Sequence, residues 1–265
     1  MKIDFFKYEG TGNDFVIIDN RDLKFKKNNK ELIQGICDRK NGVGSDGLIL
    51  LENHLTFNFS MIYFNADGSE SGFCGNGSRC VTHLAKKLNI IEKNAVFSAI
   101  DGIHESRIFN GKISVKMNKV LKADIYKYDD NYNTTFINTG SPHLIRLFHN
   151  IDTVDVVNEA REIKLKYPDY TEGLNINFCE ISDFIIKLRT YERGVEDETL
   201  SCGTGAVASA IFLKESGLVN YDKIQIQMKG GKLSVDLTDE GDCYSDIWLS
   251  GDVNMIFKGV YNKFD

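Results

Sequence analysis

Two cysteines in this chain stand at the head of the same short run, Cys74-Gly75-Asn76-Gly77 and Cys202-Gly203-Thr204-Gly205. A thiol placed just before a helix lies in the partial positive charge of unpaired backbone N–H groups, which stabilises the thiolate. The glycines behind each sulfur let a ligand approach the backbone, and the same N–H groups can receive a carboxylate. With a thiolate on one side of an α-carbon and a thiol on the other, one group removes a proton and the second returns one to the opposite face, which inverts the stereocentre. An α-proton is weakly acidic until the charge developing on the neighbouring carboxylate is stabilised, and oriented N–H donors in a dry site do that. Such a pair needs no cofactor.

The two runs belong to a longer repeat. Tyr63, Asn65, Glu70, Cys74, Gly75 and Gly77 align without a gap on Tyr191, Arg193, Glu198, Cys202, Gly203 and Gly205, at a constant offset of 128 residues (202 minus 74). Each copy reads as the end of a strand, a polar loop and the opening of a helix, as expected of a duplicated unit. The elements around them alternate. Strands are predicted over 2–8, 15–19, 48–52 and 57–65, helices over 30–39 and 78–88, and a second apolar helix over 205–215 with Gly217 as its stop. The polar stretch 122–135 is the expected crossing between halves, with strands resuming at Phe136.

Composition sets the class. The 265 residues are 42% hydrophobic and 26% charged, ordinary globular usage and enough chain for two modest cores. A net charge of -6 leaves no basic footprint, so neither nucleic acid nor an acidic membrane is an expected partner. Residues 1–8 alternate like a strand instead of showing a leader, and a cytoplasmic location is expected. The six cysteines then read as reduced thiols, with Cys37, Cys80, Cys179 and Cys243 in the core. No Cys-x-x-Cys pair and no ligand-like histidine spacing occur, so no metal is expected. Gly42, Gly44 and Gly47 match a dinucleotide fingerprint, but a helix precedes them and a strand follows, the reverse of the required order.

At these residues the sequence resembles the diaminopimelate epimerase family. FFKYEGTGNDFVIIDN, RKNGVGSDGLILL, FNADGSESGFCGNGSRC, TGSPH, GLNINF and YERGVEDETLSCGTGAVAS follow one another in that family's order along nearly the whole chain. The resemblance implies an α/β (α+β) fold of two similar lobes related by a pseudo-twofold axis, each a curved mixed sheet wrapped around a central helix. The lobes are expected at 1–120, joined by a returning strand at about 252–265, and at 121–251. It implies a cytoplasmic homodimer, without cofactor or metal, that interconverts LL- and meso-diaminopimelate in lysine and peptidoglycan-precursor synthesis. Carried over by motif, Cys74 and Cys202 are the acid and base. The backbone of Gly75, Asn76, Gly203 and Thr204 holds the reacting carboxylate, and Asn13, Asn65, Asn175 and Arg193 grip the distal end. Glu192 and His143 lie beside the reacting centre. One departure stands out: the family usually has Asn where this chain has Ser141, whose shorter side chain has fewer donors. At this point a proline or hydroxyproline racemase, a non-catalytic amino-acid binder and a thiol-disulfide protein remain as competing functions.

Overall fold

The computed structural model describes residues 2–127, 134–167, 173–182 and 185–262. The chain divides into two compact units, one of residues 1–115 with 251–265 and one of residues 116–250.

In the first unit a mixed sheet forms from both ends of the chain. The strand Lys2–Gly10 pairs antiparallel with Asn13–Asp19, turning at Gly10↔Asn13, and on its other side with Asn254–Asn262. Asn13–Asp19 runs parallel to Gly47–Glu52 with Phe15 opposite Gly47, and Gly47–Glu52 pairs antiparallel with Phe59–Asn65. The sheet continues through Asn94–Ala99, Gly102–Phe109 and Lys112–Lys116. Both faces are covered, which is why the central strands read as unbroken apolar runs. Helix α1, Lys30–Cys37, packs Leu32, Ile33 and Ile36 on Val16, Ile18, Leu48 and Leu50. Helix α2, Gly75–Lys87, packs Cys80, Val81, Leu84 and Ala85 on the alternate residues Phe15, Ile17, Ile49 and Leu51 of the same strands. The period of two along a strand thus sends neighbouring side chains to different helices.

The second unit repeats the plan. Thr135–Asn138 pairs antiparallel with Pro142–Leu147, which runs parallel to Asn175–Ser182 with His143 opposite Asn175. The sheet continues antiparallel to Ile185–Glu192, parallel to Lys223–Met228 and antiparallel to Gly231–Asp239. Helix α3, Val156–Lys166, is capped by Asp155 and buries Val156, Ala160 and Ile163 against Leu144, Ile176, Phe178 and Tyr191. Helix α4, Gly203–Glu215, packs on the strands Thr135–Asn138, Pro142–Leu147, Asn175–Ser182 and Gly231–Asp239. It is buried from Gly205 to Leu213, as expected of a helix that is apolar all round. It ends at Gly217 in the left-handed conformation (φ +67°), where the Leu218 N–H reaches back to Leu213 O.

Several elements differ from expectation. The helices predicted from Ser78 and Gly205 start at Gly75 and Gly203, because glycines in their first turns mask the signal. Helix α1 stops at Cys37 instead of Arg39, where Asp38 turns to an extended conformation. The sequence reading contains no counterpart of α3. Of the polar stretch 122–135, residues 122–124 form a short 3-10 turn and 126–127 a strand, while 128–133 lie outside the described residues, as does Pro168.

Candidate active site

Each cysteine of the repeat is the N-cap residue of a 13-residue helix, Cys74 for α2 and Cys202 for α4, in nearly equal extended conformations (φ -117°, ψ 110° and φ -131°, ψ 108°). The first N–H groups of each helix have no helical carbonyl behind them, so each thiol sits beside donors that suit an anion. Cys74 is half-buried and Cys202 is 6% exposed. The other thiols differ in kind: burial raises Cys37 and Cys80 above their ordinary range and pushes Cys179 up to about 12, which leaves them protonated.

In the first unit the Gly77 N–H donates to Cys74 Sγ at 3.5 Å, so the sulfur itself caps the helix. Asn13 Oδ1 lies 3.9 Å from the same sulfur and accepts from it. The Asn13 amide cannot be reversed, because its nitrogen donates to Asp46 Oδ2 at 2.6 Å and a carboxylate only accepts. Asp46 is held by Arg39 at 2.7 Å, and Arg39 also grips Asp14. Burial alone would raise the Asp14 carboxyl, but hydrogen bonds from Arg39 and Lys7 and their charges bring it down to about 2. The GVGSDG run rejected as a nucleotide loop thus places Asp46 behind Asn13. Beneath the helix start lies Arg79, wholly buried, which donates to Gly75 O, Asn76 Oδ1 and Thr11 Oγ1 at 3.3, 2.8 and 2.9 Å. It ties the turn that carries Asn13 to the turn that carries Cys74. Asn65, half-buried, donates to Ser69 Oγ at 3.5 Å.

In the second unit the corresponding tie uses other side chains. Thr139 Oγ1 donates to Thr204 O at 3.0 Å, and buried His143 places Nε2 2.9 Å from Thr204 Oγ1. Thr204 Oγ1 is in turn 3.6 Å from Cys202 Sγ. Asn175, 3% exposed, donates to Ser141 Oγ at 2.7 Å and to Pro142 O at 3.0 Å, and its Oδ1 accepts from the Arg193 N–H at 3.0 Å. Its amide therefore braces Ser141, the residue that departs from the family pattern, and the Arg193 backbone. Glu192 is half-buried and Arg193 is exposed, so a dry surrounding for the Arg193 side chain is not a feature of the described residues.

Sequence reasoning missed Arg79, and also Asn177, whose Nδ2 lies 3.0 Å from His143 Nδ1, and Thr190, which donates to Asn177 Oδ1 at 2.9 Å, although part of the signal was there. Thr11-Gly12-Asn13 and Thr139-Gly140-Ser141 stand at the same offset of 128 (139 minus 11), and Gly12 and Gly140 both take left-handed conformations (φ +86° and +98°). The repeat thus includes the turn that faces each cysteine.

The family model for diaminopimelate epimerase matches residues 5–122 and 135–256. The chain belongs to the diaminopimelate epimerase family. A diaminopimelate epimerase of Flavobacterium psychrophilum is 48% identical over 96% of this chain and 98% of that protein. One of Aquifex aeolicus is 35% identical over 97% of each. Among solved structures, a PhzF-family phenazine biosynthesis protein of Bacillus anthracis superposes with a TM-score of 0.76 at 13% identity, covering 98% of this chain and 99% of that one. A hydroxyproline epimerase of Agrobacterium vitis superposes with a TM-score of 0.70 at 13% identity, covering 98% and 92%. At such identities these last two likenesses concern the fold. The mixed α/β architecture expected from the family resemblance is the one observed. Among the described residues no helix is long and apolar enough to cross a membrane.

Proposed function

We propose that this protein is an isomerase that converts LL-diaminopimelate to meso-diaminopimelate, with Cys74 and Cys202 as the two proton-transferring groups and no cofactor. The observation that carries the reading is the pair of cysteines at the N-caps of equivalent helices in a chain of this family. One thiolate removes the α-proton while the other thiol delivers one from the opposite face, so the two must flank the same carbon during turnover. The N–H groups at Gly75, Asn76, Gly203 and Thr204 stabilise the carboxylate as negative charge develops on it. Asn13, Asn65, Asn175 and Arg193 hold the distal amino-acid end, with Glu192 and His143 beside the reacting carbon. Asn175 acts from behind, through Ser141 and the Arg193 backbone.

The reading extends to a role in lysine and peptidoglycan-precursor synthesis and, from the family resemblance, to a cytoplasmic homodimer. The test is exchange: purified, reduced protein in D2O without additives should place deuterium at the α-carbon of diaminopimelate while interconverting the epimers. Exchange into proline instead would assign the racemase reading, and no exchange would leave a binding protein.

A further inference from the structure

We propose that Asn177 and Thr190 are positioning residues which, acting through His143 and Thr204, aim a hydroxyl hydrogen at the Cys202 sulfur and so favour its thiolate. The inference rests on the reading of Cys202 as a proton-transferring thiol. It is carried by a chain of hydrogen bonds whose directions can be read one from the next.

Asn177 is wholly buried on the strand beside His143, and its Nδ2 lies 3.3 Å from Leu144 O and 3.0 Å from His143 Nδ1. A backbone carbonyl only accepts, so the nitrogen of the amide must be the end that faces Leu144 and His143. With the nitrogen so placed, its Oδ1 accepts from Thr190 Oγ1 at 2.9 Å. Facing an NH2 donor, His143 Nδ1 must be an acceptor. The ring carries its proton on Nε2, which donates to Thr204 Oγ1 at 2.9 Å. A hydroxyl that has accepted from an imidazole keeps one hydrogen to give, and Cys202 Sγ stands 3.6 Å away.

Burial, with the charge of Arg193 adding to it, holds His143 neutral, as the chain of donors requires. In the first unit the equivalent of Thr204 is Asn76, whose Oδ1 is taken by Arg79, while the Asn13 oxygen beside Cys74 can only accept a hydrogen. The two sulfurs are therefore addressed differently: Cys202 receives a hydrogen from a side chain, and Cys74 offers one to a side chain. With the Gly77 N–H also donating to Cys74, the Thr204 hydroxyl is the side chain that favours the thiolate at Cys202.

The experiment measures the pH dependence of iodoacetamide alkylation at each cysteine separately, by mass spectrometry of the intact enzyme. In Thr204→Val and Asn177→Leu the apparent pKa of Cys202 should rise by about one pH unit, a tenfold change in thiolate fraction near neutrality, as loss of one hydrogen bond to a charged group implies. Cys74 should keep its wild-type titration, and Thr204→Ser should restore that of Cys202. The 15N signals of His143 provide a readout independent of the substitutions: the wild type should show the Nε2–H tautomer. An Nδ1–H tautomer, or an unmoved Cys202 titration in Thr204→Val, overturns the proposal. Because alkylation and tautomer are read without turnover, failure of the deuterium exchange test would be seen separately.

Discussion

A Cβ atom on Gly205 would stand 2.5 Å from Asn177 Oδ1 and 3.3 Å from Cys202 Sγ. The second glycine of the Cys-Gly-x-Gly run thus makes room for the amide that orients His143, in addition to the backbone access first ascribed to it. Asn177 is held by Thr190 and Leu144, so it cannot yield without losing its bonds. Gly205→Ala should cost on the order of 1–3 kcal/mol of stability from overpacking and lower kcat at least tenfold. Thermal unfolding and steady-state rates check both, and a fully active variant would show that the Asn177 orientation is dispensable.

Replacing either Cys74 or Cys202 by Ala should lower epimerisation about 10²- to 10⁴-fold, the usual worth of a proton-transfer partner. Cys80, protonated in the core of α2, serves as the control, and Cys80→Ala should retain most of the rate. Full epimerisation by either single variant would refute the two-thiol scheme.

The two-thiol scheme requires Cys74 and Cys202 to reach the same carbon, and from that requirement follows the prediction that they can join when no substrate separates them. Mild oxidation should therefore inactivate the enzyme through a Cys74–Cys202 disulfide, with activity recovered on reduction. Peptide mapping that finds another pairing would contradict the flanking arrangement.

His143 makes stability depend on pH. Burial, reinforced by the charge of Arg193, lowers it from its ordinary 6.5 to about 3, so between these values the unfolded chain binds a proton that the folded chain does not. The stabilisation is complete above about 6.5 and is lost as pH falls toward 3, by on the order of a few kcal/mol. A plot of Tm against pH should decline in that window, and His143→Gln should flatten it. An unchanged slope in the variant would show that the imidazole is not held neutral.

Arg193→Ala should reduce kcat/KM for diaminopimelate roughly ten- to a hundredfold, the loss of a charge-assisted bond to the distal carboxylate, while the thiols keep their reactivity toward alkylation. Lysine lacks that carboxylate and should be a poor substrate of the wild type. Comparing diaminopimelate, lysine and proline in both proteins checks the assignment; equal use of lysine would remove Arg193 from the distal site.

Chemistry and scaffold were legible in the sequence to different degrees. The amphipathic spacing after Gly77 and the apolar run after Gly205 made α2 and α4 readable, and unbroken apolar runs such as Phe15–Ile18 and Leu48–Leu51 marked central strands. Helix α3 escaped because its buried stripe is only Val156, Ala160 and Ile163 among charged neighbours, although Asp155 stood ready as its cap. The His143–Asn177 contact was not readable, since it arises from a parallel register between strands whose residues are 34 apart in sequence. Arg79 escaped for the opposite reason. A lone arginine near a helix start suggests a solvated side chain, whereas its burial goes with bonds that include one to Thr11, 68 residues away in sequence.

The interval from turn to thiol is the same in both copies, 63 residues from Thr11 to Cys74 and from Thr139 to Cys202 (74 minus 11, 202 minus 139). After duplication, net chain length between these points stayed in step while the side chains beneath them diverged, to Arg79 in one copy and to His143 with Thr204 in the other. The halves have become complementary parts instead of interchangeable ones. A chimera built from two first halves would keep both helix starts but bury a guanidinium under each, and it would lose the imidazole that distinguishes one sulfur from the other. Such a protein would present the same surroundings to both sulfurs, with neither thiol favoured to hold the first proton.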